Sequence, residues 1–115
     1  METKRAVQAL SALAQDTRLA IFRLLVQAGP EGMAAGQIGE KLDLPPATLS
    51  FHLAGLTRAG LARSRPEGRF VIYSADYAAM NALVGFLSEN CCGGRDCQPS
   101  IGETREALPR ARRGE

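Results

Sequence analysis

The chain has 115 residues, 45% of them hydrophobic, with a formal net charge of +2. That length suits one domain with a modest core, and no apolar run approaches the ~20 residues that a membrane-spanning helix needs. Bulk charge is too small to announce a nucleic-acid partner, so the placement of the charges has to decide.

The start, Met1-Glu2-Thr3-Lys4-Arg5, leads directly into an amphipathic pattern and lacks the apolar segment of a secretory signal, so a cytoplasmic protein with no membrane partner is expected. From Thr3 to Ala14 the apolar residues Val7, Leu10, Leu13 and Ala14 fall at helical spacing. Asp16 or Thr17 can cap a second helix whose Leu19, Ile21, Phe22, Leu24, Leu25 and Val26 make it apolar on most of its circumference, the mark of a central helix. Gly29-Pro30 ends it. A short third helix is predicted over Met33 to Leu42, with Ile38 and Leu42 inward.

After the turn Leu44-Pro45-Pro46, a fourth helix is predicted from about Pro46 to Ala59, because proline is tolerated in a first helical turn. Leu49, Leu53 and Leu56 form its buried stripe, and Thr48, Ser50 and His52 are expected mostly away from it. The period then changes to two. Leu61 to Arg65 and Arg69 to Ser74 read as strands of a hairpin, with Pro66-Glu67-Gly68 between them. Asp76 caps a last helix to about Glu89, with Tyr77, Met80, Leu83, Val84 and Leu87 as its apolar face.

The fold class is therefore mainly α (α+β): a winged helix-turn-helix of about five helices with a two-stranded β-hairpin wing. Residues 1–90 are expected to form the winged helix-turn-helix domain, 91–97 a cysteine cluster, and 98–115 a mobile tail without periodicity. In such a fold the second helix of the motif enters the major groove, so Ala47, Thr48, Ser50, Phe51 and His52 are the candidate base-reading residues. Arg63, Arg65 and Arg69 around the wing are placed for phosphate or minor-groove contact. Taken singly, His52 reads equally as a surface histidine and the arginines as solvated. Together on one surface they point to double-stranded DNA.

Three stretches resemble the ArsR/SmtB metalloregulatory repressors: Asp16-Thr17-Arg18-Leu19-Ala20-Ile21-Phe22, the segment from Leu49-Ser50-Phe51-His52-Leu53 to Ala59-Gly60-Leu61, and Glu67-Gly68-Arg69 followed by Tyr73. The resemblance covers roughly residues 4–90. It implies a homodimer built on the first and last helices, a palindromic operator, and release from DNA when an inducer binds. Val7, Leu10, Leu13, Met80, Leu83, Val84 and Leu87 supply the apolar faces such an interface needs, unless those faces cover the chain's own core. The chain departs from the family in its sensing residues. It has no cysteine pair in the helix before the recognition helix, and its one histidine rules out a histidine-based site on the last helix.

All three cysteines, Cys91, Cys92 and Cys97, lie within seven residues, and Gly93-Gly94 frees the backbone to turn between them. Three thiolates without histidine suit a soft, three-coordinate centre, whereas structural zinc takes four ligands. Trivalent arsenic or antimony fits best. Methylarsenite, with one valence blocked, needs only two thiols. The arrangement is similar to a C-terminal cysteine variant of the arsenical repressors. Cadmium, lead, mercury or thiol oxidation are the competing signals. For the last, an adjacent Cys91–Cys92 bridge is strained, while Cys92–Cys97 and Cys91–Cys97 stay open. No permanently bound cofactor and no catalysis are expected: the cysteines have neither an anion-binding loop nor a general-base histidine beside them.

Overall fold

The structure, a computed structural model, describes residues 1–94. Cys97 and the predicted tail, residues 98–115, lie outside the described residues. The element order is α1 (Thr3–Leu13), α2 (Asp16–Ala28), β1 (Met33–Ala34), α3 (Ala35–Leu42), α4 (Pro46–Arg58), β2 (Ala62–Glu67), β3 (Phe70–Ala75) and α5 (Tyr77–Leu87), followed by a single turn at Cys91–Gly94. The predicted winged helix-turn-helix is the fold observed. Among the described residues no helix is long and apolar enough to cross a membrane.

The core sits where α2 meets α4 and α3, with Ile21, Leu25, Ile38, Leu53, Leu56 and Leu61 fully buried. Helix α1 closes it with small residues, burying Ala6 and Ala9 while Val7 and Leu10 stay exposed. Alanine at those two positions lets the helix axis approach the core closely, a detail the larger residues of α1 had obscured.

Three boundaries differ from those expected. The cap of α2 is Gln15, whose side chain accepts from the Arg18 backbone N–H at 2.9 Å, so Asp16 and Thr17 already belong to the first turn. Met33 and Ala34 are a short strand rather than the start of α3. They pair with Tyr73 and Ile72 and make the sheet three-stranded, in the order β1-β3-β2, where two strands were predicted. The hairpin loop is Gly68-Arg69, with Glu67 opposite Phe70, so Pro66 and Glu67 extend β2. A proline is tolerated there because β2 is an edge strand and loses no ladder bond it needs. Gly68, at φ 65, supplies the positive torsion that a two-residue hairpin loop requires at its first position. The predicted cap of α5 is present: Asp76 Oδ1 accepts from the Ala79 N–H at 3.0 Å.

Candidate nucleic-acid interface

Helix α4 begins at Pro46, whose missing N–H is one of the donors a first turn leaves unpaired. Leu49, Leu53 and Leu56 anchor it in the core as expected. The opposite side of its first two turns carries Ala47, Thr48, Ser50 and Phe51, all exposed, Phe51 to 65%. Two hydroxyls, a methyl and an aromatic ring on one free helix surface match the chemistry of base edges: hydroxyls pair with donors or acceptors, and apolar groups meet the thymine methyl.

His52 does not join that surface, which corrects the expectation from sequence. It is 8% exposed, and its Nδ1 lies 3.2 Å from Arg18 Nη1. Guanidinium has only donors, so in this contact Nδ1 is the acceptor. The sequence did hold the signal. Leu49, His52, Leu53 and Leu56 stand at i, i+3, i+4 and i+7, a complete inward helix face. Its polar character had set His52 apart from the leucines.

On the wing, Arg63 and Arg65 are exposed on β2, and Arg69 is exposed in the hairpin loop. Arg65 is tied down: its Nη2 donates to the Glu31 carbonyl oxygen at 2.8 Å, bracing the wing against the loop after α2. Phe70 at the wing tip is 63% exposed beside Arg69, an apolar group the sequence reading did not single out.

The predicted dimer face divides in two. Val7, Leu10, Val84 and Leu87 are exposed, on helices that pack side by side. Leu83 is buried at 6%, and Leu13 and Met80 pack partly buried against the same core. Those three serve this chain's own interior, as the alternative reading of the stripe allowed.

Beyond α5, Cys91 and Cys92 are exposed, with their sulfurs 3.7 Å apart. Asn90, Cys92, Gly93 and Gly94 all have positive φ, and the N–H groups of Gly93 and Gly94 both donate to the Asn90 carbonyl, so the chain turns sharply there. Cys92 is in a disulfide-bonded state. Among the described residues no group of three or more His, Cys, Asp or Glu side chains could hold a metal ion, and the third thiol of the predicted set, Cys97, is outside them.

Comparison with known proteins agrees with this geometry. A family model described as a helix-turn-helix domain matches residues 13–65. The transcriptional activator HlyU of Vibrio cholerae is 32% identical over 88 residues, 76% of this chain and 79% of HlyU. A putative arsenical resistance operon repressor ArsR of Halobacterium salinarum is 39% identical over 67 residues, 58% of this chain and 51% of that protein. The solved structure of HlyU from Vibrio cholerae superposes with a TM-score of 0.63, covering 80% of this chain and 99% of HlyU. The homodimeric winged helix-turn-helix DNA-binding domain of Mb0332 from Mycobacterium bovis, described as a possible ArsR-family regulator, superposes at 0.60 with 27% identity, covering 84% and 89%. These relatives are regulators rather than enzymes. The winged helix-turn-helix fold and this likeness together place the chain in the ArsR family of helix-turn-helix transcriptional regulators.

Proposed function

We propose that the chain is a cytoplasmic, homodimeric repressor that holds a palindromic operator and leaves it when trivalent arsenic or antimony binds Cys91, Cys92 and Cys97. Each protomer presents Ala47, Thr48, Ser50 and Phe51 to one major groove, and the two α4 helices reach successive grooves about one helical turn apart. Val7, Leu10, Val84 and Leu87 form the dimer face. Arg63 and Arg69 add phosphate or minor-groove contact at the wing.

The observation that carries the signal is the Cys91–Cys92 pair, 3.7 Å between sulfurs, one turn beyond α5. That separation is within the span of two metal–thiolate bonds of about 2.3 Å each. Once Cys92 is reduced, a soft centre drawing the two thiolates together ties the turn to the end of α5, next to the proposed dimer face, and so biases the spacing of the two reading helices. A coupling of ~1–3 kcal/mol per site, taken over the two sites of a dimer, changes operator affinity by roughly one and a half to four decades. The name of the Halobacterium relative supports this choice of signal. The name of HlyU points to activation, so the direction of regulation belongs to the proposal.

Thiol oxidation is the second reading, favoured by the disulfide-bonded state of Cys92. The deciding experiment is fluorescence anisotropy on an operator duplex under reducing conditions, titrated with arsenite, antimonite, methylarsenite, cadmium and zinc, with a parallel arm of diamide and dithiothreitol. Release by arsenite or antimonite and retention with zinc is the expected result. Release by cadmium alone changes the signal to a divalent soft metal, and release by diamide alone selects the oxidation reading. Indifference in every arm removes the sensor and leaves a constitutive DNA-binding regulator.

A further inference from the structure

Arg18 stands on α2, between the helix proposed to form the dimer and the helix proposed to read DNA, and it is bonded to both. Its Nε donates to the Ala12 carbonyl oxygen at 2.7 Å, one of the last-turn carbonyls of α1 that have no partner within the helix. Its Nη1 donates to His52 Nδ1 on α4 at 3.2 Å. Gly55, one turn further along α4, leaves room for the aliphatic stem: a Cβ there would lie 3.4 Å from Arg18 Cδ. The His52 ring in turn meets the exposed Phe51 ring edge to face, with centroids 5.2 Å apart. An unbroken series of contacts thus runs from the end of α1, through a planar five-donor group, to a side chain on the free surface of α4.

We propose that Arg18 is a positioning residue for DNA reading: its guanidinium fixes the rotation of α4 relative to α1 and so transmits the state of the α1–α5 face to the recognition surface. The proposal rests on α4 being the DNA-reading helix. A planar fork suits the task because its two N–H bonds fix the relative position of the two acceptors, which a lysine ammonium on a flexible stem cannot do. Arg18 acts through His52 and Ala12 and touches no phosphate. Its loss is therefore expected to lower discrimination between sequences while sparing the counterion-release component of affinity.

The test uses the full-length reduced protein, a duplex recovered by in vitro selection with the wild type, and a scrambled duplex of the same length. Arg18→Gln and Arg18→Lys are each expected to weaken binding to the selected duplex by roughly tenfold. Binding to the scrambled duplex and the slope of log affinity against log salt stay at wild-type values. His52→Ala is expected to give the same loss, the Arg18→Gln/His52→Ala double variant no further loss, and His52→Asn, whose amide oxygen replaces Nδ1, to recover most of it. This set keeps the proposal testable if one Arg18 variant fails to fold. A fall of the salt slope by about 1 in Arg18→Gln, with equal weakening on both duplexes, would make Arg18 a phosphate contact and overturn the proposal. Unchanged binding to the selected duplex also overturns it. Thr48→Ala and Ser50→Ala serve as the control for the underlying reading. If they leave selected-duplex binding intact, α4 is not the reading helix, and that reading fails rather than the Arg18 contact alone.

Discussion

Tyr77 reaches from the first turn of α5 back to the end of α2, its hydroxyl 3.0 Å from the Val26 carbonyl oxygen and 3.3 Å from that of Leu25. Those carbonyls belong to the last turn of α2, where no N–H of the same helix can reach them. One phenol thus closes the C-terminal end of the central helix and sets the position of α5, and with it the face carrying Val84 and Leu87. Tyr77→Phe keeps the ring and removes the bond. It is expected to lower stability by about 1 kcal/mol, read as a reduced urea midpoint at unchanged m-value, with earlier hydrogen exchange in α5 than in α4.

Gly32 is a position where only glycine fits. Its φ is +77°, and a Cβ there would overlap the Tyr73 carbonyl oxygen and crowd Ile72 Cγ2. Both neighbours belong to the strand that pairs with Met33 and Ala34. Gly32→Ala is expected to destabilise by on the order of 2 kcal/mol or more and to detach β1 from the sheet. Gly36→Ala has open space around its Cβ and negative φ, and is expected to be neutral or slightly stabilising. Paired thermal melts of the two variants check both outcomes.

The wing arginines are expected to separate by their bonding. Arg63 and Arg69 have no side-chain hydrogen bond among those of the described residues, whereas Arg65 holds the Glu31 carbonyl. Arg63→Ala and Arg69→Ala should each reduce the salt slope of DNA binding by about 1 and weaken selected and scrambled duplexes alike. Arg65→Ala should leave a smaller change in slope and lower wing stability instead. Equal slopes for all three variants would show that the Glu31 contact opens on binding DNA.

The apolar residues of α5 should divide in the same way. Val84→Glu and Leu87→Glu place charge on exposed positions and are expected to dissociate the proposed dimer while the monomer stays folded, as read by sedimentation velocity with circular dichroism. Leu83→Ala opens a cavity in the chain's own core and is expected to cost about 2–5 kcal/mol with subunit contacts unchanged at temperatures well below its midpoint.

Ligand choice tests the cysteine set directly. Cys97→Ser is expected to abolish the response of operator binding to arsenite and to retain that to methylarsenite, which needs two thiols and can use Cys91 with Cys92. Equal loss of both responses would show that the three thiols act only as a unit.

The linear order of side chains was enough to determine the helices of the described residues, the position of α4 and the cap at Asp76. Each depends on local rules: a 3.6-residue apolar period, a short oxygen before a helix, a proline tolerated in a first turn. Tertiary structure alone decided the rest. Strand β1 is two residues long, too short to show a period, and exists because β3 offers it a ladder. Glu67 and Pro66 became strand because the loop needed only Gly68 and Arg69. His52 was placed with the polar residues of α4, and Leu83 with an intersubunit face. Burial reversed both assignments, since a helix face becomes core or surface according to what packs against it. In His52 the deciding partner is Arg18, 34 residues away in sequence, and no local pattern announces a bond across that distance.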